Sequence, residues 1–266
     1  SYPVIRAAAK AGIPTAIHES NAVPGLTTKM LEGSVDSIMV GFEESRANYR
    51  HPDRVEVTGT PVRVDFLNPD KAAAKRELGI PEGRPLVVSV WGSLGAAHMN
   101  EIMTDFIVRA CAKPFFNLIH SAGKAGYSRM SAALEREKPD HARLGMDVRD
   151  YIYDMPRVMA AADLVLCRAG ASTLAELTAM GKPAILVPSP NVTNNHQERN
   201  ARVLEAAGGA RVMLEQDFTA DSLLGLVSEL LQHPEQLDEM SKKMLELGVP
   251  DATDRIAAEV LELAGK

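Results

Sequence analysis

The sequence has little cysteine, few aromatic residues and no excess of positive charge. Its 266 residues include only Cys111 and Cys167, which lie far apart and each inside an apolar pattern. This excludes a disulfide framework and a cysteine-based zinc site, and it suits a reducing compartment. Lysine and arginine number 29 against 35 aspartates and glutamates, a formal net charge of -6. Broad neutralisation of nucleic-acid phosphates needs the opposite balance, so no nucleic-acid partner is expected. No apolar run approaches the roughly 20 residues that cross a bilayer. Attachment to a membrane surface stays open.

What is present is an ordinary globular balance, 45% hydrophobic and 24% charged, enough for one large or two modest domains. Apolar, β-prone runs at residues 15–18, 37–42, 55–58, 86–90, 116–120, 146–149, 164–167, 184–187 and 211–214 read as strands. Helical patterns at 4–11, 99–112, 128–137, 155–162, 172–180 and 197–207 separate many of them. Near-continuous apolar strands alternating with amphipathic helices predict parallel sheets covered on both faces. The fold class is therefore α/β, doubly wound. Residues 58–85 are rich in Pro, Gly and charge and read as a linker between two such series, while only helices are expected after Phe218. The chain opens on a helix that leads into a strand, which predicts that it is the later portion of a longer protein.

Ligands of open α/β sheets sit beyond the carboxyl ends of the strands, so the residues just after strands carry the functional signal. The first such place is WGSLGAAHMNE, where Gly92, Ser93 and Gly95 precede a helix whose free amides favour an anion. Tight packing alone would also select these glycines. In CRAGASTLAELTAMGK, residues 170–173 occupy a helix start suited to a diphosphate, and Glu176 offers two acceptors to the hydroxyls of a ribose. Ser172 or Thr173 would serve equally as a plain helix cap. In PSPNVTNNHQERNA, the Asn, His and Gln side chains can meet sugar hydroxyls, or Asn194 and Asn195 can cap the next helix. IHESNAVPG gathers His18, Glu19, Ser20 and Asn21 after a strand, and TGTPVR sets Arg63 where it can fork to phosphate or form a surface ion pair.

In their order along the chain, IPTAIHESNAVPGLTTKML, VTGTPVR, WGSLGAAHMNE, VRDYIYDMPRVMAAADLVLCRAGASTLAELTAMGKPAILVPSP and NHQERNA resemble the MurG family of glycosyltransferases over essentially the whole length. The resemblance implies a GT-B architecture of two Rossmann-like domains, the first incomplete. Residues 1–63 would be the remainder of an acceptor-side domain and 64–85 a linker running into the second domain. Residues 86–232 would be the UDP-sugar domain, with 233–266 as terminal helices, the last packing back on the first domain. It implies an inverting transfer of N-acetylglucosamine from UDP-N-acetylglucosamine to lipid I, in peptidoglycan synthesis and hence cell shape and division. No metal and no cofactor are implied. The implied setting is the cytoplasmic face of the bacterial membrane, held peripherally, among other cell-wall synthesis or division proteins. A transferase with another lipid acceptor such as diacylglycerol, or a nucleotide-sugar-binding module without catalysis, shares these motifs.

Position by position, the resemblance sets Asn21 against the donor sugar, Arg63 at the nucleotide and Ser93 in the phosphate loop. It gives the backbone of Ile152 to the uracil edge. Ala171, Ser172, Thr173, Leu174, Ala175 and Glu176 lie along the phosphate and ribose, with Glu176 on the ribose hydroxyls, and Gln197 reads the N-acetylglucosamine hydroxyls. The family's proposed general base would precede Ser1, which leaves His18 as a weak candidate beside a purely structural role. Two departures stand out. Trp91-Gly92-Ser93 replaces the usual GGS, and HESN replaces HEQN.

Overall fold

The computed structural model describes residues 2–67, 69–92 and 97–265. Eleven α-helices and nine strands form two parallel sheets among these residues. The smaller sheet contains β1 (Ala16–Glu19), β2 (Ser37–Val40) and β3 (Val55–Val57), in that order and all parallel. Helices α1 (Tyr2–Lys10) and α2 (Leu26–Leu31) accompany it. Ile17, Leu31, Val35, Ile38, Val40, Tyr49 and Val55 close its core.

The larger sheet has the order β6-β5-β4-β7-β8-β9. Its strands are β4 (Leu86–Val90), β5 (Asn117–Ser121), β6 (Met146–Arg149), β7 (Leu164–Cys167), β8 (Ala184–Leu186) and β9 (Ala210–Val212). All neighbours are parallel. β4, β5, β7 and β8 are buried nearly end to end, and the reason lies in the two faces. Val87, Leu118 and Leu166 enter one core with Met99, Met103 and Phe106 of α4 (Ala97–Ala110) and Leu223 and Val227 of α9 (Ala220–Gln232). Leu86, Val88 and Val165 enter the other with Val158 of α6 (Met155–Ala161), Leu174 and Leu177 of α7 (Ala171–Ala179) and Leu204 of α8 (His196–Ala206). Burial on both faces removes the polar alternation of a half-exposed strand, which is why the runs read as continuously apolar.

The chain moves outward from β4 to β6, then crosses back to β7 and moves the other way. The crevice of a doubly wound sheet opens at this reversal. Val90 pairs with both Ser121 and Cys167, so the carboxyl ends of β5, β4 and β7 finish level and form its floor.

β4, β6 and β7 fall at the expected bounds, the other six strands shift at one or both ends by a residue or two, and α5 (Lys124–Glu137) begins earlier than expected, after Gly123 turns the chain at φ 73. The segment read as a linker contains α3 (Lys71–Glu77), capped by the Asp70 carboxylate, which accepts from the Ala73 amide at 2.9 Å. Lys71 and Lys75 reach Asp163 at 2.7 and 2.5 Å and dock the helix beside β7. Between α10 (Pro234–Leu247) and α11 (Ala252–Ala264), Val249 returns to the small sheet. It packs so closely on Gly59 that a Cβ there would lie 2.5 Å from it.

Candidate functional site

A 350 Å³ cleft occupies the switch point of the larger sheet. Its walls come from the ends of β4 (Val90, Trp91, Gly92), β5 (Ser121, Gly123) and β7 (Cys167, Arg168), from Tyr151 and Ile152, and from Gly170, Thr173, Glu176 and Gln197. Four positions singled out from the sequence, Ile152, Thr173, Glu176 and Gln197, are thus brought together. Ser93 lies outside the described residues.

The start of α7 settles the capping question. Its N-cap is Gly170, in extended conformation and with no side-chain cap, so neither Ser172 nor Thr173 fills that role. The first amides of the helix are therefore left for an outside acceptor, and the helix dipole favours a negative one. Helical spacing then divides the run. Gly170, Thr173 and Glu176 face the cleft, whereas Ala171, Leu174 and Ala175 line a separate 210 Å³ cavity with Phe42, Val57 and Val249. Ser172 is exposed.

Burial raises the pKa of Glu176; the charge of Arg63 pulls it back and that of Asp65 raises it further. Arg63 is thus near enough to act on Glu176, but it is exposed, ion-paired with Asp65 at 3.4 Å and stacked 5.0 Å over Phe66. It does not line the cleft. Gln197 does, and its Oε1 accepts from the Ser189 amide at 2.9 Å, which leaves the side-chain NH₂ free to donate. The loop before it bends through Asn194 and Asn195, both left-handed at φ 57 and 51, a conformation that asparagine tolerates better than most residues. Asn195 stands at the N-cap position of α8 without a capping bond.

The HESN turn is organised from within. Glu19 accepts from the Asn21 amide and Nδ2, the Gly25 amide and the Thr28 hydroxyl at 2.9 to 3.1 Å. Burial opposes its charge, yet these bonds outweigh that and lower its pKa. Asn21 lies outside the cleft wall and accepts from Asn200 of α8 at 3.0 Å. His18 donates from Nε2 to the Gly59 carbonyl at 2.8 Å and places Nδ1 3.4 Å from the Ser20 hydroxyl. Nε2 therefore ties β1 to the turn after β3, while Nδ1 faces the HESN turn itself.

Three contributors escaped sequence reasoning. Arg168 ends β7 and lines the cleft, ion-paired to Glu215 at 2.7 Å without hydrogen-bond alignment and donating to the Val187 and Pro188 carbonyls at 3.1 and 3.3 Å. Its position directly after a strand was the available signal. Tyr151 lines the cleft while 43% exposed, its ring 4.9 Å from that of Tyr153, and presents a face on which a base could stack. Asn200 lies one helical turn beyond Gln197, on the same side of α8. Behind the floor, His120 is fully buried between Ser89 Oγ at 3.0 Å and Asn100 Oδ1 at 3.2 Å, and burial pushes its pKa down to about 3. It is a neutral brace. Burial likewise pushes the Cys167 thiol up to about 12, which makes it inert. Among the described residues no three His, Cys, Asp or Glu side chains converge as a metal site.

The model of the glycosyltransferase family 28 C-terminal domain matches residues 86–256, and that of its N-terminal domain matches residues 1–40. The UDP-N-acetylglucosamine--N-acetylmuramyl-(pentapeptide) pyrophosphoryl-undecaprenol N-acetylglucosamine transferase of Acetivibrio thermocellus is 41% identical over 96% of this chain and 68% of its own. The Bacillus cytotoxicus protein of the same name is 38% identical over 99% of this chain and 71% of its own. The crystal structure of Acinetobacter baumannii MurG superposes with a TM-score of 0.77 at 26% identity, covering 98% of this chain and 70% of that one. A UDP-GlcNAc 2-epimerase from Neisseria meningitidis, solved with UDP-GlcNAc bound, shares the fold at a TM-score of 0.66 and 14% identity, covering 98% of this chain and 73% of that one. The architecture is GT-B, and the chain belongs to glycosyltransferase family 28, in the MurG group of hexosyltransferases.

Proposed function

We propose that the chain transfers N-acetylglucosamine from UDP-N-acetylglucosamine to undecaprenyl-pyrophosphoryl-N-acetylmuramoyl-pentapeptide, lipid I, to give lipid II. The observation that carries this reading is the meeting of Ile152, Thr173, Glu176 and Gln197 in one cleft at the switch point of the larger sheet. Residues 86–232 are the donor side and residues 1–63 the acceptor side, with 64–85 joining them and 233–266 returning across the junction. Within the cleft, uracil meets Ile152, ribose meets Glu176, the diphosphate meets the start of α7, and Gln197 donates to the sugar. Asn21 and Arg63 approach the donor from the rim, and Ser93 belongs with the diphosphate.

The acceptor's 4-hydroxyl oxygen forms a bond to the anomeric carbon from the face opposite UDP. The bond from that carbon to the diphosphate oxygen breaks, UDP leaves with the electron pair, and the hydroxyl proton passes to a base. Charge grows on the departing diphosphate, where the free amides of α7, its dipole and the Arg168 guanidinium stabilise it. They are fixed before the reaction, so little reorganisation opposes it.

The lipid acceptor calls for peripheral contact with the cytoplasmic face of the membrane. No helix among the described residues is long and apolar enough to cross one. Support for surface contact comes from the neighbouring α1 and α2, which expose Val4, Leu26 and Met30 beside Arg6, Lys10 and Lys29.

The test supplies UDP-N-acetylglucosamine labelled in the sugar together with lipid I or diacylglycerol. Label is expected in lipid I with release of UDP and not in diacylglycerol. Transfer to diacylglycerol alone, or no transfer to lipid I by a chain that binds UDP, would overturn the assignment.

A further inference from the structure

Trp91 is the single tryptophan of the chain and directly follows β4. Its side chain is 4% exposed and lies edge-on to Phe218, with ring centroids 5.4 Å apart at 68°. The Arg168 guanidinium sits 5.9 Å over the indole. Trp91 also lines the cleft that contains Thr173 and Glu176. Its Nε1 is buried and has no hydrogen-bond partner among the described residues.

An indole N–H is a donor only, and a buried donor without an acceptor is rare in native proteins unless a ligand or function accounts for it. The ring belongs to the core cluster with Phe218, so packing accounts for the indole carbons and supplies no acceptor for the N–H. The neighbours of the ring indicate which ligand group brings the acceptor. Tyr151 and Ile152 belong to the base end of the cleft and Gln197 to the sugar end. Trp91 lies beneath the Arg168 guanidinium and lines the same cleft as Gly170 and Thr173 at the start of α7, where negative charge is favoured.

We propose that Trp91 is a donor-binding residue whose indole N–H donates to a diphosphate oxygen of the nucleotide sugar. The assignment rests on the donor reading above and adds a further contact to it. The nitrogen is shielded from water where it lies, so the bond forms as the indole turns from Phe218 toward the cleft. Arg168, ion-paired to Glu215, stays beside it and supplies the positive charge.

The test compares wild type, W91F and W91H by calorimetry with UDP and with uridine, and follows wild-type tryptophan emission with the same ligands. W91F keeps an aromatic ring without the N–H, and W91H returns a ring N–H. W91F is expected to weaken UDP binding by about tenfold, the usual scale for a hydrogen bond to a charged group. Uridine binding should be unchanged, W91H should recover part of the loss, and wild-type emission should shift with UDP but not with uridine. Equal UDP affinity in wild type and W91F, or an equal loss for uridine, would overturn the proposal. Should W91F fail to fold, emission unmoved at saturating UDP decides against it. If wild type binds no UDP, the donor reading itself falls and this assignment with it.

Discussion

Asn200 donates from Nδ2 to Asn21 Oδ1 at 3.0 Å across 179 positions of sequence. The same amide donates to the Ala169 carbonyl at 3.2 Å and accepts from the Ala22 amide at 2.8 Å. One fully buried side chain therefore joins the HESN turn of the small sheet to the β7–α7 turn of the large one. The turn that carries Asn21 is positioned by the second sheet as much as by its own.

Asn200→Ala strands these groups and should lower stability by ~1 to 3 kcal/mol, the cost of unpaired buried polar groups. Asn200→Asp should cost more, since it replaces the donor with an oxygen facing Asn21 Oδ1 and the Ala169 carbonyl. Urea unfolding midpoints measure both. An aspartate variant as stable as wild type would contradict the assigned donor direction.

Glu176→Ala should weaken UDP binding by ~1 to 3 kcal/mol, by stranding the ribose hydroxyls. Glu176→Gln separates binding from stability. Burial raises the folded pKa of Glu176 above its unfolded value, so its contribution to stability is full below the unfolded pKa and is lost as pH rises through the folded one. At neutral pH the glutamine variant should therefore be at least as stable as wild type while binding UDP less well. Calorimetry and thermal melts on one preparation give both numbers, and a fall in stability matching the fall in affinity would contradict this account.

Gln197→Ala should weaken UDP-N-acetylglucosamine more than UDP. Ser189 fixes Oε1, so the ligand is offered the NH₂ group. Gln197→Glu keeps the acceptor for Ser189 and removes the donors, and should show the same selectivity for loss of the sugar nucleotide. Equal losses for both ligands would take Gln197 out of the sugar site.

Lys182 is 5% exposed and donates from Nζ to the Ala160 and Ala162 carbonyls at 2.6 and 3.1 Å. Burial pushes its pKa from 10.5 down to about 7. The unfolded chain holds this proton over the interval between those values, so the Lys182 contribution to stability rises with pH through it and is lost as pH falls through about 7. Lys182→Met should flatten that rise. Urea midpoints across the interval test it, and identical slopes in wild type and variant would refute the burial argument.

Much of this was legible in the sequence. Continuous apolar runs dictated parallel strands buried on both faces, glycine and small residues after strands marked the edge where the cleft opens, and the ordered motifs marked the family. Local features encode these properties, because burial sets hydrophobic pattern and backbone sterics set where glycine is needed. α3 was hidden because its capping aspartate and docking lysines sit among Pro, Gly and charge, and their partner Asp163 is remote in sequence. Tertiary structure alone decided which residues of α7 face the cleft, that Gly170 rather than a hydroxyl begins the helix, and that Arg168 and Trp91 share its wall. It also placed Asn200 beneath Asn21 and occupied both nitrogens of His18. These relationships depend on side chains from separate strands and helices arriving at one point, and no local pattern specifies which distant partner completes a hydrogen bond.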